Sequence, residues 1–176
     1  MKKIILKAKL KDYDKFEDKL SEIEMEFGPI YWQHDRVYAP RGFKHGMNLP
    51  RLVMRTDLKA IDEPPKYYLI LRRHIEDSGV DIVEKTPVED YTSAVATILQ
   101  LGFKQVGEVS RRRQTLEMEE GTFIHLDEID GKNESYAKIE TILKPDDSVE
   151  AAREDLEKTF KILGESDFVE MPYFEL

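Results

Sequence analysis

The segment Ser135–Leu143, SYAKIETIL, alternates with period two, placing Lys138 and Glu140 on one face and Ala137 and Ile139 on the other. A strand with one charged and one apolar face fits either a sheet half-open to water or a sheet closed around a polar interior. The same alternation recurs along the chain. Lys3, Ile5, Lys7 and Lys9 oppose Ile4, Leu6, Ala8 and Leu10; Arg72 and His74 share a face with Ile70; Arg111 lies with Arg113, and His125 with Asp127. For one strand, the half-solvated sheet is the ordinary explanation. Recurrence in so many strands favours a closed barrel with charged side chains pointing inward.

Local signals give the order of the elements. Lys3–Leu10 reads as a strand, and Asp12 can cap a following helix in which Phe16, Leu20, Ile23 and Phe27 recur at helical spacing, with Gly28-Pro29 as its stop. IYWQHDRVYAP reads as a second strand, leading into a Gly- and Pro-bearing stretch from Pro40 to Pro50 that reads as a mobile loop. RLVMRTDL and KYYLILRRH follow as strands, and Asp77-Ser78-Gly79 turns the chain into VDIVEKT. A helix from Asp90 places Val95, Ile98 and Leu99 on its buried side and ends at Gly102. Strands are then expected at about Phe103–Met118, Thr122–Asp130 and Tyr136–Lys144, with turns at Glu120-Gly121 and Asp130-Gly131. A last helix starts near Asp146 or Ser148, carries Ala152, Leu156, Phe160 and Leu163, and stops at Gly164. Hairpins in both halves favour an antiparallel sheet that curls or closes over a parallel α/β sheet. Both halves share a strand, helix, strand order without a residue-level repeat.

At 176 residues, with no composition break, the chain reads as one domain, 1–176. It has no cysteine, which removes disulfides, thiolate metal sites and a cysteine nucleophile. MKKIILKAKL lacks the apolar stretch of a signal peptide, and no run approaches the roughly 20 apolar residues of a membrane span, so a soluble, cytoplasmic protein with no membrane partner is expected. A net charge of −9 opposes attraction to nucleic acid, yet an acidic exterior can enclose a basic cleft. Assembly as a homodimer is compatible with the sequence.

A barrel interior rich in Arg and Lys with a few carboxylates suits an oligophosphate. Guanidinium forks grip phosphate oxygens bidentately, and carboxylates can hold the Mg²⁺ or Mn²⁺ that bridges phosphates. Phosphate-binding Gly-rich loops, H-E-x-x-H and G-x-S-x-G are all absent. His34, His45, His74 and His125 are scattered and read first as packing or surface residues. The Arg111–Arg113 run also fits a basic surface patch, and Trp32 and Tyr38 read as core residues before they read as a cover for a base.

The order of these segments resembles the CYTH superfamily, the triphosphate tunnel proteins that include class IV adenylyl cyclases and thiamine triphosphatases. KAKLKDYDKFEDKL resembles the end of the family's first strand and its first helix, QHDRVYAP its Q-x-D-x-Y/F segment, and LILRRHIEDSGVDIVEKTPVED its central hairpin. LGFKQVGEVSRRRQ, FIHLDEIDG and YAKIET resemble its second half, and SDFVEM its closing segment. The resemblance implies an α+β fold: an eight-stranded antiparallel β-barrel, the tunnel, with flanking helices.

It also implies a division of labour within the site. Lys7, Arg55, Arg72, Arg111 and Arg113 would form the phosphate-binding side, and Glu84, Asp127 and Glu140 the surviving metal-binding side. The chain departs from the family's E-x-E-x-K signature, because Lys3 and Ile5 stand at its two glutamate positions. Lys138 stands at the first glutamate of the later E-x-E, and Val53 where an arginine is usual. A hard cation needs oxygen ligands and is repelled by a nearby ammonium, so these exchanges weaken a metal site. The expected partner is a triphosphate-containing small molecule, with Mg²⁺ or Mn²⁺ if the protein is catalytic. Metal-dependent hydrolysis or cyclisation, anion binding without turnover, and a structural role for the barrel all remain open, with efficient adenylyl cyclase activity not expected.

Overall fold

A computed structural model describes residues 1–22, 24–44, 47–59, 62–75 and 78–176. Eight strands close into an antiparallel barrel: β1 (Lys2–Lys9), β2 (Tyr31–Ala39), β3 (Arg51–Leu58), β4 (Lys66–Ile75), β5 (Val80–Val88), β6 (Lys104–Glu119), β7 (Thr122–Ile129) and β8 (Ser135–Ile142). Their order around the barrel is β1-β5-β4-β3-β2-β6-β7-β8, and β1 pairs with both β5 and β8, which closes the sheet, the β1–β5 seam being the short one at Lys2–Ile4 against Val80–Ile82. On β1, β7 and β8 apolar residues such as Ile4, Leu6, Ile124 and Ile139 point outward, and charged ones such as Asp127, Lys138 and Glu140 point into the barrel.

Three helices cover the apolar exterior. α1 (Tyr13–Glu22) and α3 (Val149–Ile162) pack Phe16, Leu20, Leu156 and Phe160 onto Ile4, Leu6, Ala8, Ile124, Ala137 and Ile139. Burying a side chain such as Phe160 contributes about 1.5–3 kcal/mol. α2 (Tyr91–Gln100) lays Ile98 against Tyr38 and Met54. The expected caps are present. Asp12 accepts from the Lys15 amide, Asp90 from Ser93 and Ser148 from Ala151, each satisfying an otherwise orphaned first-turn N–H. Gly102 and Gly164 follow α2 and α3 with φ of 86° and 83°, the left-handed geometry of helix stops.

Three expectations shift. α1 ends at Glu22, before Gly28-Pro29; Phe27 still packs on the core, and the Gly28 amide bonds the Thr115 carbonyl on β6 instead of ending a helix. Leu99 is 50% exposed because its position on α2 turns it off the barrel, so Ile98 carries that contact. Tyr38 is core, whereas Trp32 on β2 is 45% exposed and finishes none of the core clusters. Ile23, His45 and Asp77 lie outside the described residues, so the expectations placed on them have no structural counterpart.

After α3 the chain runs back along β1, where the Lys9 amide bonds Asp167 and the Val169 amide bonds Lys7. It then enters the barrel, ending in a 3₁₀ turn at Tyr173–Glu175. Tyr173, Phe174 and Leu176 pack on the interior residues Val109, Ile129 and Tyr136, and Phe174 also meets the interior layer of Val37, Val53, Ile70 and Val83. Gly107 makes this possible, since a Cβ there would stand 2.6 Å from the Phe174 ring.

Candidate anion site in the barrel

Period-two alternation sends the charged side chains inward, and the interior divides them into two groups. In the first, every charge is paired. Arg55 grips Asp35 with two bonds of 2.7 and 2.8 Å, and Arg111 reaches the same carboxylate at 2.7 Å and the Gln33 carbonyl at 2.9 Å. Gln33 donates to Asp57 at 2.9 Å. Arg113 holds Asp127 with two bonds of 2.6 Å. Glu140 accepts from Lys138 at 2.5 Å and from Lys3 at 2.6 Å.

The ionisation of these groups follows the pairing. Burial opposes the charge of Asp35, Asp127 and Glu140, but Arg111 and Arg55, Arg113, and Lys138 respectively overcome it and hold all three well below the usual carboxylate range. Burial, with Arg113 and Arg72 nearby, lowers Lys138 to about 7 against the pull of Glu140. Burial, Lys138 and Arg113 lower His125 to about 3, and its Nδ1 shares a 2.9 Å hydrogen bond with Thr115.

The second group is open. Arg51 and Arg72 are direct cross-strand partners on β3 and β4, and neither forms a salt bridge or hydrogen bond with the described residues. Like charges directly opposed on a sheet repel one another. Lys7 joins them and lends its ammonium to the Met171 carbonyl, lying 5.0 Å from the centre of the Tyr173 ring. Burial, then Arg72 and Arg51, lower Lys7 to about 8. Burial also lowers Arg51 and Arg72, although a guanidinium keeps its proton at neutral pH. The opposing carboxylates are Asp81, which shares a 3.2 Å contact with His74 Nδ1, and the exposed Glu175 near Arg51. These residues line a cavity of about 660 Å³, whose remaining wall includes Phe43, Leu49, Val53, Val109, Phe168 and Phe174.

The residues expected from sequence are thus divided. Lys7 and Arg72 meet at the open group, whereas Arg55, Arg111 and Arg113 touch the same cavity with their charges already neutralised. Asp127 and Glu140 are inside, but their oxygens are occupied by guanidinium and ammonium groups. Glu84 is corrected: alternation on β5 turns it outward, where it pairs with the N-terminal amine of Met1. The donor set therefore does not fit a divalent cation. Among the described residues, no three His, Asp or Glu side chains are grouped to hold one. Arg51 was missed, although it lies four residues before Arg55 and so shares its face, the signal that could have found it. The Pro40–Pro50 stretch supplies Phe43, Met47 and Leu49 to the cavity wall.

An antiparallel tunnel lined with inward cations defines the class of protein. The CYTH domain model matches residues 1–173, and the chain belongs to that family. Among solved structures, the PH1819 protein of Pyrococcus horikoshii is 24% identical, covers 98% of this chain and 96% of its own, and superposes with a TM-score of 0.81. An adenylate cyclase candidate from Vibrio parahaemolyticus is 19% identical over 98% of this chain and 95% of its own, with a TM-score of 0.79. A Hippeastrum adenylyl cyclase candidate with dominant triphosphatase activity is 19% identical over 99% and 94%, with a TM-score of 0.61. At these identities the likeness is one of fold. No curated protein matches the sequence. No helix among the described residues is long and apolar enough to cross a membrane.

Proposed function

We propose that this CYTH protein binds a phosphorylated anion at Lys7, Arg51 and Arg72, with protein cations alone neutralising the phosphate. One observation carries this reading: two half-buried arginines are placed directly opposite one another, beside a half-buried lysine, without bonded counter-charges among the described residues. Such an arrangement costs stability in the empty protein and is relieved by an anion. Guanidinium forks suit phosphate oxygens, and Lys7 adds a compact charge. The paired carboxylates leave no oxygen set for a bridging cation, so affinity is expected to be independent of Mg²⁺ and Mn²⁺.

The test is calorimetry with inorganic diphosphate, inorganic triphosphate, ATP and thiamine triphosphate, each with and without Mg²⁺, alongside an assay of phosphate release. Binding that survives chelation of metal and is lost in Arg72→Met supports the reading. Metal-dependent turnover that disappears in Asp127→Asn would replace it with a triphosphatase mechanism.

A further inference from the structure

Resting on the anion site proposed above, we infer that its ligand is a phosphate or diphosphate monoester of an apolar alcohol. The charge balance limits the phosphate part. Lys7, Arg51 and Arg72 face the half-buried Asp81, with the exposed Glu170 also on the cavity wall and the exposed Glu175 near Arg51, while the other cations around the cavity are engaged: Arg55, Arg111, Arg113 and Lys138 by Asp35, Asp127 and Glu140, and Arg153 by Glu157. Water screens the exposed carboxylates, so the unmatched charge is at most about that of one phosphomonoester, which carries roughly −1.5 to −2 near neutral pH. A triphosphate brings more negative charge than these groups neutralise, and among the described residues no carboxylate cluster is placed to recruit a cation for the excess.

The rest of the wall limits the organic part. Leu49, Val53, Val109, Phe43, Phe168 and Phe174 surround the space beyond the cations. Among the described residues lining the cavity there is no Ser, Thr, Asn or Gln. A nucleobase, ribose or polyol placed there would lose hydrogen bonds to water with no side-chain amide and, among the described lining residues, only the Tyr173 hydroxyl to replace them, a penalty that favours hydrocarbon. At about 660 Å³ the cavity lies within the roughly 300–1,000 Å³ range of small-molecule sites, so an alkyl, prenyl or aryl group fits beside the phosphate.

The experiment compares geranyl diphosphate, inorganic diphosphate, ATP and geraniol by calorimetry on the full chain, with Leu49→Ser and Arg72→Met as variants. Geranyl diphosphate is expected to bind at least tenfold more tightly than either inorganic diphosphate or ATP. Leu49→Ser should narrow that advantage and leave inorganic diphosphate unchanged, and Arg72→Met should weaken both diphosphates. If ATP or inorganic diphosphate binds as tightly as geranyl diphosphate, the apolar assignment falls while the anion site stands. Equal losses for both diphosphates in Leu49→Ser would also overturn the assignment, as would geraniol binding as tightly as its diphosphate. If none of the phosphates binds, the anion site falls and this inference with it.

Discussion

The two charged groups inside the barrel use the same residue types to opposite effect. Around Asp35, Asp127 and Glu140 each cation has a bonded carboxylate, and the group holds the strands together as a polar core. Around Arg51 and Arg72 the cations oppose one another, and repulsion is retained beside open space. The difference lies in where carboxylates stand. Asp35 and Asp127 sit on strands flanking Arg55, Arg111 and Arg113, whereas Val53, Ile70 and Val83 occupy the interior positions nearest the open group. A buried charge that has its partner is structure; one that lacks it is available for a ligand.

Breaking the paired group gives the largest effect. Asp127→Ala leaves Arg113 buried without its bidentate partner and is expected to cost about 3–5 kcal/mol, measured by denaturant unfolding. Arg72→Met, at the open group, should leave unfolding stability equal or higher because it removes a like charge. The same substitution is expected to weaken diphosphate binding by about a hundredfold, as loss of charge-assisted bonds does. If Arg72→Met destabilises as much as Asp127→Ala, the distinction between the two groups fails.

The fold was legible in the sequence because alternation and helix caps are local signals. Asp90, Ser148 and Gly164 mark element ends by chemistry that needs no distant partner, and the structure uses all three. The α1 boundary was overread because Phe27 keeps the helical spacing while packing from an extended segment. Within the site, alternation announced that charges share the interior but not which ones meet. The pairing of Arg113 with Asp127 depends on the register of β6 against β7, and the opposition of Arg51 to Arg72 on that of β3 against β4. Glu84 was misplaced because it was carried by resemblance, whereas period two on β5 puts Asp81, Val83 and Lys85 on the inner face.

The paired group also carries a pH signature through His125. Glu140 and Lys138 on β8 and Arg113 and Thr115 on β6 face its ring, and burial with the two cations lowers it to about 3. Its ordinary value is 6.5, so between 6.5 and 3 the unfolded chain binds more protons than the folded one. Stability is present in full above 6.5 and is lost as pH falls, by about 2 kcal/mol on reaching pH 5 if this group acts alone. Urea unfolding of the wild type and His125→Gln at pH 7 and 5 checks this, the variant showing the shallower decline.

The open group responds in the opposite pH range, through Lys7. Burial, Arg72 and Arg51 lower it from 10.5 to about 8 in the empty protein, so the unfolded chain holds the extra proton between these values. Stability without ligand is therefore raised by this group as pH climbs through that window. Anion binding runs the other way, because phosphate oxygens beside Lys7 favour its charged form. Affinity is expected to fall by at most about tenfold from pH 7 to pH 9, with proton uptake on binding near pH 8. Calorimetry in buffers of different ionisation enthalpy reads that uptake directly. In Lys7→Met the uptake should vanish and the pH dependence flatten, since Arg51 and Arg72 keep their protons across this range. Uptake that persists in the variant would assign the titration to another group and remove Lys7 from the open site.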